Sequence, residues 1–418
     1  MNPERLVAGL DIGSSKTTAL IAEVEGDLPK YPVIKVLGVG QARTTGMRRG
    51  IVADIEETTR SIRKAVQDAE RMAGAKIQEV YAGIAGEHVQ AMTSKGIVAV
   101  AGDEIAKGDV DRANEVARAQ AIPQDRELLH AIPQEYTVDK NTGIRDPIGM
   151  TGMRLETEMY LVTIGGSPAI NLRKSVERAG YKVRELVLEP LASALAVLTE
   201  DEKELGVALV EMGAGTTDLA IFHEGKIRHL ATIAFGGNHV TSDIVHGLGV
   251  TQADAERLKE RYGCAYEPLV DPADLVDLPS TAAQGDRQIP RETLAHIIHQ
   301  RVDEIFELVQ RQMSSAGYAG KLSAGVVMAG GAAAMEGVAE LASSVFGTGV
   351  RVGIPSERIG GLVDAVEAPR FATVVGLAEY GAHRTAIVGA GSGRRIKIGG
   401  PGVEGFAQKV KFWLQDFF

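Results

Sequence analysis

The sequence predicts an α/β fold that is built twice, as two similar halves with a cleft between them. The first reason is an internal repeat, because residues 7–18 and 207–218 share one pattern at a displacement of 200 positions. The second is the alternation of helical and strand patterns between and after these two segments. The third is composition, since 44% hydrophobic and 24% charged residues among 418 are typical of a globular chain with two or three domains.

Charge and cysteine content exclude several classes of protein. Lys and Arg number 45 against 55 Asp and Glu, a formal net charge of −10, so we expect no nucleic acid partner. The single cysteine, Cys264, can form neither an internal disulfide nor a cysteine metal cluster, which favours a reducing cytoplasm. Residues 1–10 lack a long apolar core, and the apolar stretch at 322–335 is shorter than the ~20 residues of a spanning helix. We therefore expect no secretory signal and no membrane span.

Each copy of the repeat predicts a β-hairpin. An apolar run and an acidic residue come first, followed by a glycine-rich turn with hydroxyl side chains. A second apolar run follows at residues 19–24 in the first copy and 219–222 in the second. Because a gap between two domains is where ligands usually bind, one hairpin in each half indicates a ligand site between the halves.

The segments after the first hairpin alternate between helical and strand patterns. A 3.6-residue apolar period predicts a helix over residues 55–72, and the short apolar run at 161–164 is typical of a strand. A further helix is predicted over residues 167–179, with Gly180 as its stop. This alternation is the pattern of an α/β fold.

Residues 86–154 interrupt the alternation. A run at 96–100 alternates as a strand does, residues 109–121 predict a helix, and residues 132–149 are rich in proline and glycine. We interpret this segment as an inserted subdomain.

The turn of the first hairpin has the residue types of a phosphate-binding loop. Gly13 allows a close approach to backbone N–H groups, and the hydroxyls of Ser14, Ser15 and Thr17 are further donors. Lys16 supplies positive charge. A single loop of this kind is equally compatible with an ordinary tight hairpin that carries a surface lysine.

The turn of the second hairpin is expected to contact the same phosphates from the other side. Its candidate residues are Gly213, Ala214, Gly215, Thr216 and Thr217. Asp11, at the end of the first strand, is a candidate for holding magnesium through water, and Glu211 and Asp218 add carboxylates near that metal.

A third element combines a β-branched strand with a glycine pair. The strand ends at Gly330, Gly331 and Ala332, and a helix is predicted over residues 335–346. Glycines at the start of a helix let a nucleotide approach the backbone closely. Taken alone, such a segment is more commonly just a tight turn between a strand and a helix.

In this order and spacing, the three elements resemble the phosphate-1, phosphate-2 and adenosine motifs of the actin, Hsp70 and sugar kinase superfamily. Within it, the chain resembles the FtsA family of bacterial cell-division proteins nearly end to end. The most similar stretches are residues 206–221, 241–266, 325–347 and 371–380 and the terminal helix. The resemblance implies a duplicated actin-like, ribonuclease H-like fold with a central nucleotide cleft that binds ATP and Mg²⁺.

The resemblance also implies roles for individual residues. Glu189 matches the residue that orients water at the γ-phosphate, and Glu256 and Lys259 match residues that flank the adenine and ribose. Without the resemblance, Glu256 and Lys259 would be interpreted as a solvated helix pair, and Glu189 as a carboxylate at a helix start. Relatives usually carry Asp where this chain has Glu211, and a carboxylate displaced by about 1 Å can cost on the order of 100-fold in rate. We therefore expect ATP binding with weak or absent ATPase activity.

Domains and partners are implied in the same way. The first actin-like half comprises residues 1–85 and 164–205, the inserted FtsA-specific subdomain 86–163, and the second half 206–384 with an outer subdomain at about 245–320. The inserted subdomain is implied to contact later division proteins and the next subunit of a filament. Arg301 matches an arginine of the outer surface on which relatives bind the C-terminal peptide of FtsZ, although a solvated helix charge is the alternative.

The last residues of the sequence differ in composition from the rest. Residues 385–400 predict a flexible basic linker that contains Arg394, Arg395 and Lys397. Residues 401–418 predict an amphipathic helix that binds anionic lipid, with helix packing on the protein's own body as the alternative. The large side chains of its apolar stripe are those of Phe406, Val410, Trp413, Leu414, Phe417 and Phe418.

The function expected from these features is that of an ATP-binding cell-division protein. It would polymerise on the cytoplasmic side of the cell membrane at the division septum, anchor the FtsZ ring and recruit later division proteins. An ATP-dependent sugar-type kinase and an actin-like pilus assembly protein are the alternatives, because both share the nucleotide motifs. Neither alternative explains the basic linker and the amphipathic helix.

Overall fold

The computed structural model describes residues 5–27, 31–120, 122–279, 287–355 and 359–391. The strands of the first half and the inserted subdomain are β1 (Leu6–Ile12), β2 (Lys16–Asp27), β3 (Tyr31–Arg43), β4 (Met47–Arg48), β5 (Ile51–Val52), β6 (Glu79–Ile84), β7 (Gln90–Ala99), β8 (Arg126–Val138), β9 (Asn141–Ile144), β10 (Arg154–Gly165) and β11 (Lys182–Leu188). Those that follow are β12 (Val207–Met212), β13 (Thr217–His223), β14 (Lys226–Ile233), β15 (Leu275–Leu278), β16 (Arg287–Pro290), β17 (Val326–Ala329), β18 (Val350–Val352) and β19 (Ile359–Gly361).

The α-helices are α1 (Ile55–Ala73), α2 (Lys107–Arg118), α3 (Gly166–Ala179), α4 (Glu189–Val197), α5 (Glu200–Leu205), α6 (Gly237–Leu248), α7 (Gln252–Tyr262), α8 (Arg291–Ser315), α9 (Val338–Phe346) and α10 (Ala372–Gly391). Short 3-10 helices lie at Glu267–Leu269, Gly331–Ala334, Val363–Ala365 and Pro369–Phe371. None of the helices within the described ranges is both long enough and apolar enough to cross a membrane.

Two large sheets share the same arrangement of five strands, which reflects the sequence repeat, and the first has a sixth strand, β19, beside β3. In the first, β1, β2 and β3 are antiparallel neighbours, and β6 and β11 continue on the other side of β1 in parallel. In the second, β12, β13 and β14 are antiparallel neighbours, and β17 and β18 continue on the other side of β12 in parallel. The predicted duplication and both predicted hairpins are therefore confirmed.

The helices predicted between the hairpins are also present. Helix α1 begins after Asp54, whose Oδ1 accepts a hydrogen bond from the N–H of Glu57 at 3.0 Å. Helix α3 ends at Gly180, which has a φ of 102° that residues with a side chain adopt at a cost. Local capping therefore sets these ends, and Gly180 is the stop that the sequence predicts.

Two helices, α4 and α10, pack together where the two halves meet. Helix α4 follows β11 of the first sheet and lies between the sheets, where it contacts β6 and β11 as well as β12, β13 and β17 of the second sheet. Helix α10 comes after the second sheet but packs on β1, β2, β3 and β6 of the first. The two cross at Gly376, where a Cβ atom would lie only 1.7 Å from the carbonyl oxygen of Ala192. The halves are thus joined by a tight helix crossing that glycine alone allows.

The inserted subdomain is a sheet in the order β7, β10, β8, β9, with α2 packed on β7 and β10. Residues 132–149, interpreted as a proline- and glycine-rich stretch, form most of β8 and all of β9 in the structure. Pro133 is accommodated because the register shifts beside it, where Glu158 pairs with Glu135 and Met159 with Pro133. Proline is tolerated in a strand at such a bulge.

Two predicted boundaries are wrong. The helix predicted over residues 335–346 begins only at Val338, after Gly337 with a φ of 78°. The linker predicted from residue 385 starts within α10, which continues to Gly391. The rest of the predicted linker and the predicted lipid-binding helix, residues 401–418, lie outside the described residues.

Candidate functional site

A cavity of about 640 Å³ lies between the two halves. Both hairpin turns, the starts of α4 and α10, helix α7 and the segment after β17 form its walls. The predicted site residues that line it are Asp11, Gly13, Ser14, Ser15, Lys16, Glu189, Glu211, Gly213, Ala214, Gly215, Thr216, Asp218, Glu256, Lys259, Gly330, Gly331 and Ala332. The fold thus brings together residues that lie as far apart in the sequence as 11 and 332.

The two hairpin turns touch each other. A Cβ atom on Gly215 would lie 2.6 Å from Ser14 Oγ and 3.2 Å from the Cα of Arg49. The same Ser14 Oγ accepts a hydrogen bond from the N–H of Gly50 at 3.3 Å. Glycine at position 215 is therefore what lets the second turn approach the first so closely.

Thr17 and Thr217 do not line the cavity with the other predicted turn residues. Both side chains are fully buried. Thr17 forms a 2.7 Å hydroxyl–hydroxyl hydrogen bond with Thr44, and Thr217 Oγ1 donates to the carbonyl of Phe235 at 2.9 Å. Successive side chains of a strand point to opposite faces, so these threonines face away from the turn and fix the hairpin bases.

Four carboxyl groups meet at the cavity. Glu211 and Asp218 are buried, whereas Asp11 and Glu189 keep part of their surface facing the cavity. Burial and the neighbouring Glu211 raise the pKa of Asp11 to about 7. Burial raises the pKa of Glu211 to about 7 and that of Asp218 to about 6. Burial, with Asp11 as the next cause, raises the pKa of Glu189 well above its usual value. Such a cluster favours a bound cation, because the positive charge relieves the repulsion.

The predicted metal residues Asp11, Glu211 and Asp218 are neighbours, but they do not form a direct coordination shell. In the part of the chain that the structure describes, no three acidic, histidine or cysteine side chains are arranged to hold a bare metal ion. Magnesium commonly keeps several of its waters and contacts a protein through one or two carboxylates. Binding of magnesium through water therefore stays a prediction.

Hydroxyl groups hold the two carboxylates of the second half. Ser193 Oγ donates to Glu211 Oε2 at 2.8 Å, and the hydroxyl of Thr373 donates to Glu211 Oε1. Thr232 and Thr216 donate to Asp218 at 2.5 and 3.1 Å. These bonds lower the pKa of each carboxyl group and so oppose the effect of burial.

Helix α7 supplies the outer wall of the cavity. Lys259 Nζ donates to Glu256 Oε2 and Thr241 Oγ1, both at 2.8 Å, and to the carbonyl of Gly237 at 3.1 Å. Lys16 Nζ lies 3.6 Å from Glu260 Oε1, an ion pair between half-exposed groups that contributes little stability. The pair nevertheless connects the first turn to the outer subdomain across the cavity mouth.

The glycine pair, Gly330 and Gly331, does not lie at the start of the predicted helix. Gly330 has a φ of 86°, and a Cβ atom there would lie 2.5 Å from the carbonyl oxygen of Met212. Gly331 begins a 3-10 helix of four residues, Gly331–Ala334, rather than the longer helix α9. The pair thus packs against the end of β12 and leaves the backbone of the 3-10 helix facing the cavity.

Some lining residues were not predicted, and those with polar side chains include Thr18, Gln41, Arg261, Arg370 and Thr373. Thr18 could have been found, because the displacement of 200 positions pairs it with Asp218. Arg370 and Thr373 come from the end of the described chain, where no local pattern connects them to the hairpins.

Arg301, the predicted partner-binding residue, lies on α8 and does not line the cavity. Its Nε donates to Asp243 Oδ2 at 2.5 Å, and its guanidinium also pairs with Glu304. Its Cζ atom lies 5.7 Å from the centre of the Phe235 ring. The side chain is therefore held in one position on the outer subdomain.

Comparisons with known families match this architecture. The family model "Cell division protein FtsA" matches residues 208–376, and the model "SHS2 domain inserted in FTSA" matches residues 86–163. The chain is 40% identical over 420 residues to the cell division protein FtsA of Pseudomonas aeruginosa, covering 99% of this chain and 98% of that protein. It is 37% identical over 421 residues to the FtsA of Escherichia coli, with the same 99% and 98% coverage.

Solved structures share the fold at low sequence identity. The PilM-PilN type IV pilus biogenesis complex has a TM-score of 0.63 and 16% identity, covering 90% of this chain and 98% of that one. MreB5 of Spiroplasma citri bound to ADP has a TM-score of 0.56 and 14% identity, covering 93% and 99%. The MamK double helical filament has a TM-score of 0.50 and 14% identity, covering 91% and 98%.

These findings confirm the predicted α/β actin-like fold with its inserted subdomain. They also confirm the resemblance on which the expectations rested, since the similarity to division proteins extends over nearly the whole chain. The chain belongs to the FtsA family of cell division proteins.

Proposed function

We propose that this chain is an ATP-binding, actin-like subunit that polymerises at the cytoplasmic face of the cell membrane and anchors the FtsZ ring at the division septum. One observation carries the proposal. Two glycine-rich turns, one from each half, touch at Ser14 and Gly215 and open onto one cavity of about 640 Å³. That volume is in the range of pockets for nucleotide-sized ligands.

The two turns have the donors that a polyphosphate requires. Within the described residues, the N–H groups of Ser14, Ser15, Ala214 and Gly215 are not among the backbone donors that the fold already uses. Successive free N–H groups in a turn form an anion-binding concavity. Lys16 and Lys259 add positive charge at the cavity wall. The solved MreB5 structure with this fold contains ADP, which supports a nucleotide as the ligand.

A magnesium ion suits the acidic end of the same cavity. Asp11, Glu211 and Asp218 would hold it through water, and the ion would neutralise charge on the triphosphate. Glu189, the first residue of α4, would accept a hydrogen bond from water near the terminal phosphate. We propose weak or absent ATP hydrolysis, because Ser193 and Thr373 already bind both carboxylate oxygens of Glu211.

The assembly and partner roles rest on family membership and on the sequence. The MamK structure is a double helical filament, which supports self-association through this fold. The outer subdomain with Arg301 would bind the C-terminal peptide of FtsZ, and the inserted subdomain at residues 86–163 would contact other division proteins. The amphipathic pattern of residues 401–418 supports binding to anionic lipid. No observation specifically favours a sugar-type kinase or a pilus assembly protein.

Flotation with lipid vesicles tests the proposal. The full chain should float with vesicles that contain phosphatidylglycerol, should retain more FtsZ C-terminal peptide than the free vesicles do, and should assemble further when Mg²⁺ and ATP are added. A variant that ends at residue 400 should bind ATP with unchanged affinity but remain with the unbound fraction. The matched control is Trp413→Glu, which keeps the length but places a charge in the apolar stripe.

Three outcomes would contradict parts of this proposal. Equal flotation of the truncated chain would refute lipid binding by residues 401–418. Failure to bind ATP would refute the nucleotide site. Consumption of ATP that rises on addition of a sugar would favour the kinase alternative.

A further inference from the structure

The carboxylate of Glu211 lies where three elements meet. Glu211 is on β12, beside the second turn, Ser193 is on α4, and Thr373 is on α10. One hydroxyl donates to each carboxylate oxygen, and the two hydroxyl oxygens are 3.1 Å apart. Ser193 is 0% exposed, Thr373 4% and Glu211 8%, so bulk water does not replace these bonds.

The two helices that hold Glu211 both lie where the halves are linked, and a further connection runs from β18 to β19, which pairs with β3 of the first sheet. Helix α4 passes from the first half onto the second sheet, and α10 passes from the second half onto the first. They are in backbone contact at Gly376 and Ala192. A rotation of one half against the other must therefore move this crossing, since hinge motions are absorbed by the few segments that connect two bodies.

The length of the Glu211 side chain matters for these bonds. Its counterpart in the first half, Asp11, is one methylene shorter, and within the described residues no hydroxyl side chain is recorded as a donor to it. An aspartate at position 211 would withdraw the carboxylate by about 1.5 Å, the length of one carbon–carbon bond. The 2.8 Å bond to Ser193 would then exceed the range of a hydrogen bond.

We propose that Glu211 is a positioning residue that couples the second phosphate-facing turn to the crossing of α4 and α10. A ligand that contacts the turn beside Glu211 would thereby bias the orientation of the two halves, and the absence of a ligand would release that bias. The inference rests on the proposed function, because it takes the ligand of that turn to be a nucleotide. Ser193 and Thr373, whose hydroxyl groups hold Glu211, are part of the same coupling.

The coupling has a consequence for Glu189. This residue begins α4, so a shift of the crossing moves its carboxyl group relative to the turns. Gly83 packs against it, and a Cβ atom there would lie 2.8 Å from Glu189 Cγ. The position of Glu189 therefore depends on the same hydrogen bonds that hold Glu211.

Hydrogen–deuterium exchange with and without Mg²⁺ and ATP tests the coupling. In the unchanged chain, ATP should slow exchange in α4 and in the first turns of α10 at least fivefold. Ser193→Ala, Thr373→Val and Glu211→Asp should lose most of this slowing, while ATP affinity measured by calorimetry changes less than about threefold for Ser193→Ala, because Ser193 does not line the cavity. Thr373→Ser should restore the slowing, because it returns the hydroxyl alone.

The matched control removes a buried helix hydroxyl elsewhere. Ser175 lies on α3 and is 0% exposed, and its hydroxyl donates to the carbonyl of Asn171 within the same helix. Ser175→Ala should keep the full ATP-dependent slowing at α4 and α10. A loss of slowing in this control equal to that in Ser193→Ala would mean that any buried hydroxyl has the effect, and it would overturn the proposal.

The remaining outcomes separate this inference from the proposed function. Suppose that ATP binds to the unchanged chain and to the Ser193→Ala and Thr373→Val variants, and slows exchange equally in all three. The proposed coupling through Glu211 is then wrong, while the nucleotide site stands. If Glu211→Asp changes the Mg²⁺ dependence of ATP binding but keeps the full ATP-dependent slowing at α4 and α10, Glu211 acts on the metal alone and the inference is wrong. If the unchanged chain does not bind ATP, the proposed function fails and the coupling fails with it.

Discussion

The two hairpins have the same backbone register but different side chains at equivalent positions. In each sheet, three neighbouring strands each contribute one side chain to a row beside the turn. In the first half these are Asp11, Thr18 and Gln41, and in the second half they are Glu211, Asp218 and Thr232. The first set has one carboxyl group beside a neutral hydroxyl and amide, whereas the second has two neighbouring carboxyl groups.

The difference shows how a duplicated fold becomes an asymmetric site. Backbone pairing places both turns at the same cavity, and that part is symmetric. The second half, however, carries two of the buried carboxyl groups and supplies hydroxyl donors to both of them. The first half leaves Asp11 with part of its surface facing the cavity. The side chains, and not the backbone, therefore decide which half supplies hydroxyl donors to its carboxyl groups.

The largest expected effect comes from making the second turn like the first. Ser15 is the counterpart of Gly215 at the displacement of 200 positions. Gly215→Ser would place a Cβ atom 2.6 Å from Ser14 Oγ, so the turns must separate by about 1 Å. We expect ATP affinity, measured by calorimetry, to fall on the order of 100-fold. The reverse change, Ser15→Gly, is the control and should alter affinity less than about threefold. Equal losses in both variants would mean that the turns do not depend on this contact.

An intermediate effect is expected from removing the charge of Asp11. Its pKa in the folded chain, about 7, exceeds the ordinary value of 3.8, so the folded state binds the proton more tightly than the unfolded state. The stability from this group is fully present below about pH 4 and is lost as the pH rises through about 7. Without nucleotide or metal, Asp11→Asn should raise the free energy of unfolding by about 2 kcal/mol at pH 8, after allowance for screening by water, and by little at pH 4.

Glu211→Gln tests, under the same conditions, whether the hydroxyl donors make Glu211 differ from Asp11. The charge of Glu211 is stabilised by the hydroxyls of Ser193 and Thr373, and an amide accepts through only one of its two terminal atoms. The gain at pH 8 should therefore be smaller than that of Asp11→Asn, as measured by urea denaturation. Equal gains would show that the hydroxyl groups do not distinguish the two carboxyl groups.

The smallest effect is expected from the third member of each set. Thr232→Val removes the 2.5 Å hydrogen bond to the Asp218 carboxylate and should lower the free energy of unfolding by about 1 kcal/mol at pH 8. In the first half, Gln41 Nε2 donates to the neutral hydroxyl of Thr18 at 3.3 Å, a longer bond between uncharged groups. Gln41→Leu should lower it by less than about 0.5 kcal/mol in the same denaturation experiment. A larger loss of unfolding free energy from Gln41→Leu than from Thr232→Val would contradict this expectation.

Much of the fold and of the cavity could be predicted from the sequence. The hairpins followed from apolar runs on either side of glycine-rich turns, and the duplication followed from their repetition. The sequence did not show that Thr17 and Thr217 lie apart from the other turn residues, because a list of turn residues does not show where each strand begins. Both lie within the first two residues of β2 or β13, where alternation turns them away from the cavity. The same alternation brings Thr18 to the cavity wall.

Residues from distant elements could not be predicted in this way. Arg370 and Thr373 reach the cavity because α10 returns across the first sheet. Glu211 and Thr373 are separated by 162 positions, and no pattern at either position indicates the other. The roles proposed for these residues, like those for the domains and their partners, remain predictions for the experiments above.

The sequence by itself determined the elements, the two hairpins and the residue types at the turns. These features follow from local physics: apolar periods of 2 and 3.6 residues, glycine where the backbone needs it, and residues that end helices. The tertiary structure alone decided which carboxyl groups share a cavity and which hydroxyls hold them. Those contacts depend on how two helices cross between the halves, and burial then sets the pKa of each group. The energy of a charge depends on everything packed around it, which neighbouring residues in the sequence do not specify.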